Sequence, residues 1–380
     1  MQVVLTFFTH TAGWHKPLPE VDSPQTLVLV FGEADSKPYQ HALDTLQEKY
    51  PTSVIAGCST LASIFNAEVM NNALTVGIIR FQTSRVALAI TDLHDRHDSY
   101  RAGKQLGETL SAPDLKGILL LTDGLHTHGC ELLRGIGTYI DQQRVNIVGG
   151  LASDSMQFTS TWVLCDGVPI PHKVCGIGFY GEKVVFAGQA KNGFKPFGPE
   201  RLITRASERT LYEIDHRPAL ELYKEYLGEH AADLPAAALN FPLAIWQNDK
   251  RHYAVRVPIA VDEADNSLHF VADIPTGYSA QLMYGNVDNL IDGAEAAARS
   301  IEQQLPHNGP ILLLTISCAA RKLTMGEDTH QELDAVLDNL TPGSQLFGFY
   351  AYGELAATEP GGACAHQNAT MTLTVLYEGS

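Results

Sequence analysis

The chain has 380 residues, 45% hydrophobic and 18% charged, which is enough for two or three domains with sizeable cores. A net charge of −17 with no basic cluster excludes nucleic acid and anionic membrane surfaces as partners, because both are bound through Lys and Arg. No apolar run approaches the ~18–20 residues of a membrane helix. The N-terminal apolar run is short and lacks a positive leader. Cys58, Cys130, Cys165, Cys175, Cys318 and Cys364 are scattered with no C-x-x-C, as in reduced thiols. A cytoplasmic protein is expected.

In chain order, "QVVLTFF" (2–8) reads as a strand. "TLVLVFGE" (26–33) is a second, "PYQHALDTLQEKY" (38–50) has helical spacing, and a further strand ends at Gly57. The same order returns in "GILLLTDG" (117–124), "CELLRGIGTYIDQQ" and "NIVGG". It returns again in "GPILLLTIS" (309–317), "DTHQELDAVLDNL" and "QLFGFYAYGE". Strand, crossover helix and strand imply parallel pairing. A β-rich stretch follows each unit, at 72–92, 161–190 and 369–379, with hairpins expected at Asp166-Gly167 and Gly181-Glu182. The third stretch stops where the others turn back, so strand 2–8 is predicted to supply its missing partner and tie the termini together.

Residues 206–228 read as helical, 229–240 as a linker, 252–275 as strand, acidic turn and strand, and 289–305 as an amphipathic helix. The fold class expected is α/β (mixed α+β), with repeated strand–helix–strand units and mixed sheets in two associated domains, 1–235 and 236–380. A ligand cleft is expected where the halves meet.

Each unit ends in a Gly turn: "VIAGCST", "IVGGLASDS" and "QLFGFYAYGEL". Glycine after a buried strand permits close backbone approach, and strand carboxyl ends are where ligands collect. Gly57, Ser59 and Gly150 are therefore candidate ligand contacts. A Cys58–His nucleophile pair is the enzymatic alternative. Leu151 follows Gly150 and Phe349 follows Gly348, so the turn is shared while the thiol is not. With no phosphate loop, zinc-protease helix or dinucleotide fingerprint, a protein that is not an enzyme is expected.

Taken in order, "VIAGCST", "LLLTDG", "IVGGLASDS", "KPFGPERLITRASERTLYEIDHRPALELYKEYLG", "FPLAI", "DIPTGYSAQLMYGNVDNLI", "ISCAAR", "GFYAYGEL" and "HQNATMTL" resemble the FIST family, in its N- and C-terminal domains together. Ala62-Ser63 stand where relatives often carry Gly-Glu. The resemblance implies a sensory module for small ligands such as amino acids. Some free-standing members look like haem proteins that sense nitric oxide and restrain a kinase. It therefore implies a free-standing sensor signalling through a sensor histidine kinase or related protein. The first ligand reading is haem b, held non-covalently since C-x-x-C-H is absent, with nitric oxide as the signal. The alternative is an amino-acid or other metabolite sensor without haem.

Arg321 with Cys318 in "SCAAR" offers a carboxylate or propionate clamp, or else a structural ion pair with an acid such as Glu354. Tyr350, Tyr352 and Glu354 follow the matching strand and could face the same cleft or pack. Asn368 and Thr370 could meet a ligand or satisfy the backbone at a strand start. "HTHGC" puts His126, His128 and Cys130 in five residues, without the second ligand pair of a structural zinc site, and reads either as a ligand cluster or as a polar loop capping the next helix. Haem needs one axial ligand, so His126, His128 and His366 are the axial candidates. His94, Asp95 and His97 read as a solvated turn.

Overall fold

Val, Ile and Leu dominate Thr26–Gly32, Leu115–Thr122 and Leu312–Cys318, and every residue of the first and third is buried. Strands apolar on both faces belong in sheets covered on both sides. The computed structural model describes residues 1–250, 253–303, 305, 311–359 and 361–379. In it each of these strands pairs in parallel with the strand after its crossover: Val54–Ser59, Asn146–Leu151 and Gln345–Ala351. The start of the predicted 309–317 strand, Gly309-Pro310, lies outside the described residues, as does His252. The helices are α1 (Gln40–Lys49), α2 (Ser99–Leu110), α3 (Gly129–Ile136), α4 (Ala219–Leu227), α5 (Val287–Glu302), α6 (Ala319–Met325) and α7 (His330–Asp338).

The three units exchange strands in a ring. After its Gly turn each chain segment leaves its own sheet and adds strands to another. Ser63–Phe65 pairs with Gln345–Ala351, Val163–Cys165 with Val54–Ser59, and Gly353–Ala356 with Asn146–Leu151. Each chain then returns antiparallel to its own first strand, through Leu74–Arg80, Lys173–Tyr180 and Met371–Glu378. From there it crosses again. Arg85–Asp92 joins Lys173–Tyr180, and Val184–Lys191 joins Met371–Glu378. The third such place, beside Leu74–Arg80, is taken by the N-terminal strand Gln2–Thr9. The Met1 amino group lies 3.7 Å from Glu378, so the termini meet as predicted, but Gln2–Thr9 pairs with Leu74–Arg80 and not with Met371–Glu378, which stands in another sheet.

This exchange explains the Gly turns. A Cβ on Gly57 would lie 1.9 Å from Val30 O, on Gly149 2.2 Å from Leu120 O, and on Gly348 1.7 Å from Thr315 O. Gly149, not Gly150, is thus the partner of Gly57 and Gly348, and Cys58 corresponds to Gly150 and Phe349. The thiol remains unshared. Phe31 stacks on Phe349 at 4.6 Å in the core between the three sheets.

A fourth, nine-stranded sheet is inserted between Val184–Lys191 and α5, using strands from Lys195–Pro196 to Ser279–Tyr284 on both sides of residue 235. Its first part departs from the helical expectation for 206–228. Arg201–Ser207, Thr210–Ile214 and Arg217–Pro218 are strands, and only α4 is helical. Asp215 and His216 both have positive φ (50° and 61°), which fits the two-residue hairpin loop between Ile214 and Arg217. The segment read as a linker forms 3-10 turns, with Ala238 in the core beside Tyr223 and Phe241. Gly181-Glu182 does not close a hairpin, because Lys173–Tyr180 and Val184–Lys191 belong to different sheets. α3 ends at Ile136, short of the predicted Gln143. Among the described residues no helix is long and apolar enough to cross a membrane.

Candidate functional site

Two adjoining cavities of about 680 and about 460 Å³ lie where the three-unit body meets the inserted sheet. α3 and the residues before it form one wall. Leu243–Trp246, Ala254–Arg256 and residues 273–278 form another, and Thr358, Glu359 and residues 362–367 close the third side. Ile245, Trp246, Tyr253 and Tyr278 give the larger cavity an apolar, aromatic lining. Cys130, Ala254, Arg256, Ala363 and Ala365 line both.

Arg256 is the charged group at the centre of this cleft. It is 4% exposed and pairs with Leu243 in the sheet register. Its Nε donates to Asp273 O at 2.9 Å, and its Nη1 to Val255 O at 2.9 Å and His366 O at 3.1 Å. Among the described residues no carboxylate oxygen lies within 4.0 Å of the guanidinium and its Nη2 has no hydrogen-bond partner. Burial pulls its pKa below the usual value.

Beside it runs a charged chain linking body to insert. Asp273 accepts from Arg96 at 2.9 Å and from His128 Nε2, while Arg96 also lies 3.6 Å from Glu208. Burial raises the Asp273 pKa, but His128 and Arg96 outweigh it and hold the carboxyl below its ordinary range. His128 is also the N-cap of α3, its Nδ1 accepting from Glu131 N at 3.4 Å. Burial pushes the Cys130 and Cys364 thiols up, so both stay protonated.

Of the axial candidates, His128 lines the cleft and His366 forms part of its floor. Burial lowers His366 to about 3, so its ring is neutral, and its Nε2 has no partner among the described residues. That nitrogen is enclosed: a Cβ on Gly353 would lie 2.2 Å from it. His126 is elsewhere, 3.0 Å from Asp123 through Nδ1 and with its ring 4.2 Å from that of His172.

The other candidates lie inside the fold. Arg321 lies in the first turn of α6, just after Leu312–Cys318, and is sealed, bonded to Glu332 at 2.9 and 2.8 Å and to Asn192 O and Leu290 O. It is an ion pair, with Glu332 rather than Glu354. Glu332 also accepts from Ser317 and Tyr350. Tyr352 donates to Asp154. Glu354 accepts from Thr370 N and Oγ1, and burial pushes its pKa up to about 8. Burial likewise keeps the Cys318 thiol protonated. Asn368 is buried with neither side-chain polar atom partnered among the described residues. Gly57 lies under Val30 O, Ser59 Oγ accepts from Trp162 N, and Gly150 makes room for Phe349. None of these lines the cleft. Ser153 and Thr60 both donate to Tyr350 O where the three turns meet, a structural junction.

Sequence reasoning missed Arg256, Asp273, Trp246 and His172. Arg256 alone left a signal, as a cation between Val255 and Val257 inside a strand.

The FIST N domain matches residues 26–217, and the FIST C domain matches residues 219–357. This chain belongs to the FIST family. It is thus a FIST-domain protein, of a sensory and signalling kind. An uncharacterised protein of Methanocaldococcus jannaschii is 29% identical over 86 residues, which are 23% of the FIST chain and 17% of that protein. The chain therefore spans under a fifth of that relative's length. Among solved structures, cyanuric acid hydrolase from A. caulinodans aligns over 93% of this chain and 90% of its own. The TM-score is 0.36 and the identity 6%, a likeness too loose to bear on function.

Proposed function

We propose that this FIST protein is a cytoplasmic sensor that binds a small carboxylate-bearing metabolite, with amino acids as the leading class, in the cleft beside Arg256. Occupancy would be passed to a signalling partner such as a sensor histidine kinase, without catalysis. Arg256 carries the reading. A buried cation costs several kcal/mol to desolvate, and the three carbonyls it bonds neutralise none of its charge. A ligand carboxylate at Nη2 would, through a charge-assisted hydrogen bond from that one free nitrogen. The Arg96–Asp273–His128 chain beside it spans body and insert, so a ligand that reorients Asp273 or His128 would shift one against the other.

Haem b with nitric oxide as signal is the weaker reading. An axial ligand needs an imidazole nitrogen open to the iron. His128 has both nitrogens engaged, His366 Nε2 faces the Gly353 backbone, and His126 lies outside the cleft. These residues do not fit haem.

The test is a thermal-shift and Trp246 fluorescence screen of amino acids and small carboxylates. A ligand is expected to raise Tm, and Arg256→Lys to weaken it about tenfold or more, as for loss of one charged hydrogen bond. No response to any carboxylate, with a sharp Soret band on adding haem, would replace this reading with the haem sensor.

A further inference from the structure

We infer that Asp123, His126 and His172 form a binding site for one divalent transition-metal ion, independent of whatever occupies the cleft. Asp123 follows the strand Leu115–Thr122 and is 1% exposed. Its carboxylate organises both segments that carry the imidazoles. Oδ1 accepts from Leu125 N at 2.9 Å and His126 N at 3.0 Å, and Oδ2 from His172 N at 2.9 Å. His172 is held in the left-handed region, φ 57°, in the turn before Lys173–Tyr180. That conformation is uncommon for a residue with a Cβ, and it brings the His172 ring to 4.2 Å from that of His126.

One donor atom from each of the three residues lies within 4.8 Å of the other two. Two ligands each about 2.1 Å from a shared ion stand about 3.0–3.4 Å apart at tetrahedral or octahedral angles. Asp123 Oδ1 and His126 Nδ1 are already 3.0 Å apart. The second imidazole is at the surface, so its side-chain torsions can close the remaining distance. Two imidazoles and one carboxylate suit Zn²⁺, Fe²⁺, Ni²⁺ or Cu²⁺, and not Mg²⁺ or Ca²⁺, which take oxygen. Three protein ligands leave positions open for water or a small anion.

The place of the site gives it a consequence. His126 and His128 are separated only by Thr127, whose hydroxyl donates to Asp123 O. An ion on His126 would anchor the segment that delivers His128 to Asp273 and starts α3, and so stiffen one wall of the cleft.

The test uses the full chain stripped with chelator and titrated with Co²⁺, read by its visible d–d absorption and by Zn²⁺ competition. One equivalent is expected to give a saturable band that Zn²⁺ abolishes. His172→Asn keeps a residue that tolerates positive φ and is expected to weaken Co²⁺ by about 100-fold, at or beyond the loss from a lost supporting contact. His126→Asn should do the same, and His97→Asn should change nothing. Absence of a band, binding undiminished in both His126→Asn and His172→Asn, or binding lost in His97→Asn would overturn the assignment. Circular dichroism on each variant checks the fold; Asp123→Asn is avoided because that carboxylate also holds the loop.

Discussion

Glu378 tests whether the ring of exchanged strands is closed by its termini. It ends Met371–Glu378; the residue is half-buried and its side chain is 3% exposed. Its carboxylate accepts from the amides of Gln82 (2.7 Å), Thr83 (2.8 Å) and Ser84 (2.6 Å) and from the Thr83 hydroxyl (2.9 Å), all in the turn between Leu74–Arg80 and Arg85–Asp92. Burial alone would raise its pKa, but these donors outweigh it and bring the carboxyl down to about 2, from 4.5. A shift of that size sets an upper limit of about 3 kcal/mol favouring the folded, ionised form, reduced by solvent screening because the residue is only half-buried. Because the folded value is the lower one, this stability is fully present above pH ~4.5 and is lost as pH falls toward 2. Glu378→Gln is neutral and has one acceptor oxygen. It should therefore cost about 1–3 kcal/mol at pH 7 in urea unfolding. The gap between the two proteins should shrink steadily from pH 5 to pH 2.5. A gap under about 1 kcal/mol at pH 7, or one that does not change with pH, would refute the clasp.

Glu354 has the opposite sign. Burial raises its folded pKa to about 8, so its contribution is complete below pH ~4.5 and is lost as pH rises toward 8. Glu354→Gln should match the parent near pH 5 and exceed it by roughly 4 kcal/mol at most by pH 9, measured as unfolding free energy against pH. Arg321→Ala strands Glu332 as an unpaired buried carboxylate and should cost about 3–5 kcal/mol. In calorimetry any variant that still folds should keep its ligand-induced shift, because Arg321 does not reach the cleft; loss of that shift would restore it as a clamp.

The sequence by itself determined the elements that depend on neighbours a few residues away. The three strand–helix–strand units, the parallel pairing and the Asp166-Gly167 hairpin follow from local periodicity and turn chemistry, and all are present. Where local signals compete, the longer-range choice won. "TLYEI" looked continuous with α4, yet it pairs with Ser267–Phe270 across the inserted sheet, a partner about sixty residues away. The same limit governs the site. "HTHGC" was legible as a ligand cluster, but adjacent histidines on an extended segment need not share a destination. His126 turns to Asp123 and His172, and His128 to Asp273. Arg321 and Arg256 look alike as cations after apolar residues. Only the tertiary structure puts a carboxylate, Glu332, against the first and leaves the second with carbonyls beside a cavity. Charge pairing and burial depend on residues brought together through space, and one strand's own sequence does not encode which residues those will be.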